Sequence, residues 1–139
     1  MGDLFDKTPQ RAIRASALLT GSQVASDPVD VATWSHVVVD VDYTVGTGGT
    51  NPAIELEPQV SDNGTDWSPA ESALSAGSPS AGQVALSVST TLYTRAVTGR
   101  FTLTFPVFGH SRFRVKVRET GTPSPYGTCS LTAATARMS

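Results

Sequence analysis

Four basic side chains stand at alternate positions in 112-RFRVKVRE-119: Arg112, Arg114, Lys116 and Arg118. Such an array could hold an anion, a nucleic-acid backbone or an acidic protein face. On a β-strand, alternate residues share a face. The four would therefore point one way, and Phe113, Val115 and Val117 the other. Two acidic sets could answer them: Asp40 with Asp42, and Glu55 with Glu57. If either set lies on the neighbouring strand, cross-strand pairs form, each contributing about 0.2–1 kcal/mol. If neither does, the stripe is an electrostatic surface for another subunit. Nucleic acid fits poorly, because the chain carries a net charge of −2 and no aromatic residues alternate with the basic ones.

A second candidate is Trp67 in 61-SDNGTDWSP-69. Asn63-Gly64 tolerates the positive φ of a tight hairpin, and Trp67 opens the return strand. Its indole either caps the core or packs on a neighbouring strand, or it offers an exposed platform to a partner surface or to a sugar ring, with Tyr93 or Tyr126 as a second platform for the sugar. The oxygens of Asp62, Asn63 and Asp66 could approach calcium, but they lack the twelve-residue loop with a closing Glu. No metal and no cofactor is assigned. Asn63-Gly64-Thr65 also spells a glycosylation triplet.

Catalysis has little to stand on. The two histidines, His36 and His110, belong to no metal-ligand spacing. A triad would have to assemble in space from His110, an Asp and a Ser. There is no nucleophile elbow and no glycine-rich phosphate loop. The sequence predicts no enzyme and no catalytic residue. Cys129 is the one cysteine, so no disulfide forms within the chain. It is expected to face inward beside Leu131 as a small hydrophobe.

The elements that would position these residues are strands. In 37-VVVDVDYTV-45, Val37, Val39, Val41, Tyr43 and Val45 share one face and Val38, Asp40, Asp42 and Thr44 the other. In 53-AIELEPQV-60, Ile54, Leu56 and Val60 oppose Glu55, Glu57 and Gln59. Pro58 falls on the apolar face and removes a donor, which predicts an edge strand or a bulge. Near the end, 126-YGTCSLTAATAR-137 aligns Gly127, Cys129, Leu131 and Ala133. Further strands are expected at 11–19, 84–89, 91–97 and 100–105. No window carries a helical stripe. Turn clusters lie at 46–52, 61–65, 76–82 and 121–125, and 68–82 reads as a long exposed loop. The pattern predicts an all-β, antiparallel sandwich, jelly-roll-like, in a single domain.

The 139 residues fit one such domain, with 39% hydrophobic and 16% charged residues. Residues 1–10 read as an N-terminal arm, either docking Leu4 and Phe5 on a neighbouring subunit or remaining disordered, and 11–139 as the sandwich. The N-terminus has no apolar run of signal-peptide length, and no stretch reaches the ~20 apolar residues of a membrane helix. Synthesis in a cytoplasm is expected, with no membrane partner.

The stretches 59-QVSDNGTDWSPA-70 and 105-FPVFGHSRFRVKVRETGTPSPYGTCSLTAATA-136 together resemble small β-sandwich accessory proteins of tailed bacteriophage virions. The matching positions are Ser61, Asn63, Gly64 and Trp67, then Phe105, Phe108, Gly109, Phe113, Arg114 and Val115, then Gly121 and Thr122. They span roughly the second half of the chain. The resemblance implies a structural virion protein, foremost a capsid decoration or cement protein that stabilises the shell at capsid subunit junctions. Neck, collar or tail accessory subunits are the alternative it also covers. The sugar-binding module remains the reading from Trp67. The resemblance further implies the major capsid protein or other virion subunits as partners, homo-oligomers such as trimers, and residence on the virion. The partner-interface candidates are then Leu4, Phe5, Arg112, Arg114, Lys116 and Arg118.

Overall fold

The computed structural model describes residues 5–70, 72–74, 87–89 and 92–138. All of its regular elements are strands: β1 Phe5–Lys7, β2 Arg11–Leu18, β3 Val24–Ala25, β4 Val29–Asp30, β5 His36–Thr44, β6 Ala53–Ser61, β7 Ser68–Pro69, β8 Ser72–Leu74, β9 Ser87–Ser89, β10 Tyr93–Arg95, β11 Gly99–Pro106, β12 Arg112–Thr120 and β13 Thr128–Met138. Two antiparallel sheets face each other as a β-sandwich. In the first, β13 lies between β5 and the pair β1 and β2, and β11 closes the far side of β5. In the second, β6 and β12 form the centre, flanked by β7 and β10 on one side and by β3 and β4 on the other. A small β8–β9 hairpin stands apart.

The period-two pattern explains the core. Val37, Val39, Val41 and Tyr43 of β5 are fully buried, as are Ile54 and Leu56 of β6. Phe113, Val115 and Val117 of β12 meet them from the second sheet, and Cys129 and Leu131 of β13 from the first. Phe105 reaches across to Phe113, with ring centroids 5.4 Å apart. Ala-rich β13 is a poor strand former by composition. It is held extended by partners along both edges, β5 on one and β1 and β2 on the other. Tertiary pairing overrides local preference here.

Three sequence expectations need correction. Pro58 lies on an inner strand with no bulge against β12. Its C=O accepts the Ala70 N–H at 2.8 Å, so its missing N–H falls at the end of the pairing with β7, before β10 takes over at Leu56. Asn63-Gly64 does not make a tight two-residue hairpin, since residues 62–67 separate β6 from β7. Only Gly64 takes a positive φ, of 77°. Asn63 acts through its side chain instead, its Oδ1 accepting the N–H groups of Thr65 and Asp66 at 2.8 Å each. The loop expected at 68–82 begins with strand pairing at 68–69 and 72–74, and 75–82 lies outside the described residues.

The arm expected at residues 1–10 adds β1 to the chain's own sheet, with Phe5 opposite Met138 and Lys7 opposite Ala136. Leu4 lies outside the described residues. Registers place His36, Ser61, Pro106, Arg112 and Ala136 together at one end of the sandwich. Thr44, Ala53, Gly99, Thr120 and Thr128 share the other.

Candidate interaction surfaces

The basic stripe lies where cross-strand pairing would put it, beside the acidic face of β6. Arg112, Arg114, Lys116 and Arg118 stand opposite Ser61, Gln59, Glu57 and Glu55. Arg118 grips Glu55 with two bonds, Nε to Oε1 at 2.9 Å and Nη2 to Oε2 at 3.2 Å. This fork geometry is the stronger form of a charged hydrogen bond. Arg112 turns the other way and meets Asp30 of β4 at 3.3 Å. Arg114 donates to Gln59 at 2.7 Å and lays its guanidinium over Trp67, 4.2 Å from the ring centroid. Glu57 accepts from Gln23 at 3.1 Å and Gln59 at 3.3 Å. The stems of these side chains cover the sheet, so Glu55 and Gln59 on its outer face are buried. The stripe is thus answered largely within the chain.

Trp67 packs on that neighbouring strand, with one ring face taken by Arg114. The expected second platforms are not beside it. Tyr93 turns inward, edge-on to Phe105 at 5.4 Å. Tyr126 precedes β13 at the opposite end of the sandwich. The possible calcium oxygens have other partners: Asn63 Nδ2 donates to Asp66 at 2.8 Å, and Asp62 meets His110 Nδ1 at 3.2 Å. No group of three or more His, Cys, Asp or Glu residues suited to a metal occurs among the described residues.

His36 is joined to Ser35, Nδ1 to Oγ at 2.9 Å. Ser35 is buried, and its hydroxyl also lies 3.1 Å from the Ala136 carbonyl. Cys129 is buried as expected, and burial pushes its thiol up to about 12.

Two features escaped the sequence reading. One is an open depression of about 730 Å³ at the His36 end, lined by residues 32–36, Phe108, Gly109 and Arg137. Val107 and Val31 seal the core beneath it. The backbone then turns, with His110 N–H bonding Val107 C=O at 3.2 Å and Gly109 at φ 78°. That turn lifts Phe108 out, 66% exposed. Its ring meets His36 edge-on at 5.4 Å. Trp34 forms the other wall, under the Arg137 guanidinium at 5.0 Å.

The second feature is Glu119 at the opposite end, 1% exposed. Its Oε2 accepts the Tyr43 hydroxyl and the Gly46 N–H, the latter at 2.8 Å. Its Oε1 accepts the Gly127 N–H at 2.6 Å. One carboxylate therefore ties β12 to the turn after β5 and to the entry of β13. Gly127 must be glycine, because a Cβ there would stand 2.0 Å from the Thr44 carbonyl.

No known protein family matches the sequence, and no curated protein matches it. The fold does have relatives among solved structures. The SPBc2 prophage-derived protein YomS superposes with a TM-score of 0.56 at 14% identity, over 98% of this chain and 97% of that one. At that identity the likeness concerns the β-sandwich. No helix among the described residues is long and apolar enough to cross a membrane.

Proposed function

We propose that this chain is a structural subunit of a bacteriophage particle, made in the host cytoplasm and carried on the virion. It acts there by burying surface, with no catalysis and no cofactor. Its foremost placement is capsid decoration, across junctions between subunits of the major capsid protein. The observation that carries this reading is the whole-chain likeness in fold to a prophage-derived protein. The resemblance of 61–67 and 105–122 to virion accessory proteins points the same way.

The surface best suited to such contact is the depression around Trp34, His36 and Phe108. A half-buried Trp and an exposed Phe on a held turn present apolar area at small entropic cost. The basic stripe is less suited, because three of its four side chains, Arg112, Arg114 and Arg118, already have partners. Binding to the assembled shell alone stabilises that state by mass action.

The test is a copy count in purified particles by quantitative mass spectrometry, relative to the major capsid protein. Decoration predicts a large stoichiometric fraction. A few copies per particle would move the protein to the neck or tail. Absence from particles overturns the reading.

A further inference from the structure

The outer edges of the two sheets are unequal. In the second sheet every edge strand is short: β3, β4 and β7 have two residues each and β10 has three. In the first sheet, β1 has three residues, and β2 is broken by register shifts against β13. The Arg14 guanidinium also caps β2, donating to the Ala17 and Leu18 carbonyls at 3.4 and 3.1 Å. Shortness, bulges and charge are the usual protections of a sheet edge. The remaining edge, β11, is neither short nor bulged, and charge reaches it at Arg100 near its start and from Arg95 of β10, whose guanidinium lies over Phe101, 4.9 Å from the ring centroid. It runs for eight residues in unbroken register with β5, and β5 is its one strand neighbour among the described residues. Pro106 stands at its end, and Arg100 faces Asp42 at 3.6 Å.

The direction of its free backbone groups follows from the ladder. Thr135 of β13 turns away from β5, with its N–H on Thr8 Oγ1 at 2.8 Å and its C=O on the Thr8 N–H at 2.9 Å. Val37, its partner across the ladder, therefore turns its own groups toward β11. Alternation then gives Phe101, Leu103 and Phe105 the bonds to β5. The N–H and C=O groups of Arg100, Thr102 and Thr104 point away from the sheet. Their side chains are exposed, while Phe101 and Leu103 lie half-buried against the core. Val97, 61% exposed, adds apolar surface just before the strand.

We propose that β11 is a self-pairing edge that binds β11 of a second copy of this chain, antiparallel about a two-fold axis at Thr102. The edge is chemically complementary to itself in that register. Thr102 faces Thr102 of the second copy, and Arg100 faces Thr104, so every outward N–H and C=O of these residues finds a partner. Phe101, which lies under the Arg95 guanidinium, faces Leu103 of the second copy on the core side. The two Arg100 side chains are held about 13 Å apart along the strand, beyond strong repulsion. The result is one continuous sheet across two sandwiches, the β-augmentation mode of recognition. This inference goes beyond the virion reading and stands without it.

The test is sedimentation of the full chain across a concentration series, with hydrogen exchange by NMR on the same samples. The mass is expected to rise from 14.5 kDa toward twice that value. The Thr102 and Thr104 amides should slow several-fold as the dimer forms. Thr104→Pro removes an outward N–H and leaves the β5 ladder intact, so it should hold the chain monomeric with an unchanged circular dichroism spectrum. Thr104→Lys, which places a charge on the edge without constraining the backbone, should do the same if the proline variant fails to fold. A chain that stays monomeric at every concentration overturns the proposal. So does a dimer that survives Thr104→Lys, or amide protection that appears only with another virion protein.

Discussion

At one end of the sandwich Glu119 gathers Tyr43, Gly46 and Gly127 around a buried carboxylate. At the other, Trp34, His36 and Phe108 stand around an open depression, with the Arg137 guanidinium over Trp34. Both ends join the same strands and both are built from turns. The closed end turns its polar groups inward, and backbone follows backbone: Thr50 N–H bonds Gly121 C=O at 2.9 Å and Ser124 N–H bonds Thr47 C=O at 2.8 Å. The open end turns apolar rings outward. The buried polar network and the proposed contact surface are thereby separated in space, and a substitution at one end should leave the other intact.

The separation can be broken most severely at Glu119. Glu119→Ala leaves three donors without this acceptor, the Tyr43 hydroxyl and Gly127 N–H buried and the Gly46 N–H half-buried, and should cost about 3 kcal/mol or more, seen as a loss of roughly 10 °C in thermal melts. A shift of one or two degrees would mean that the closed end does not hold the sheets together. Gly127→Ala comes next. Its Cβ would meet the Thr44 carbonyl and the Glu119 carboxylate, and a cost of about 2 kcal/mol is expected from denaturant unfolding.

Alkaline pH should weaken the core more gradually. Burial, and then the hydrogen bond to Glu119, push the Tyr43 hydroxyl up, and burial pushes the Cys129 thiol up to about 12. Both groups stay protonated in the folded chain and ionise when it unfolds. Their contribution is therefore full below the unfolded thiol value near 9 and is lost as pH rises toward 12. Unfolding curves between pH 8 and 12 should steepen in that window, and Cys129→Ala should flatten part of the fall. An unchanged slope in that variant would show that the thiol carries no such linkage.

The smallest effect is expected from Arg114→Ala. Removing the guanidinium uncovers Trp67 and should cost about 1 kcal/mol, with a red shift in tryptophan emission. If the emission does not move, the stack adds nothing to the placing of Trp67.

Much of the closed architecture was legible in the sequence. Alternation in 37–45 and 112–119 named the buried residues of β5 and β12 and set the basic stripe on their outer side. The same alternation puts Glu119 on the inward face with Phe113, Val115 and Val117, which is the mark of a buried carboxylate. Its acceptors' donors, Gly46 and Gly127, could not be named, because they approach it from turns distant in sequence. The partner of the basic stripe was open between two acidic sets, since strand order is a long-range property. The register decides for Glu55, Glu57 and Gln59. Pro58 misled because the end of a short neighbour's pairing on an inner strand leaves no local sign. Trp34 and Phe108 lie outside any alternating run, so periodicity does not report them. The short sequence 33-TWSH-36 and the turn at 105-FPVFG-109 were the available hints.

The most direct measurement of the proposed role is a hydrogen-exchange footprint of the protein mixed with purified phage particles against the free protein. Protection is expected at residues 31–37 and 107–110, with 46–52 and 121–127 unchanged, and Phe108→Ser should abolish binding while its melting temperature stays within a few degrees. Protection confined to the Glu119 end, or a Phe108→Ser variant that binds as the parent does, would contradict docking through the open end.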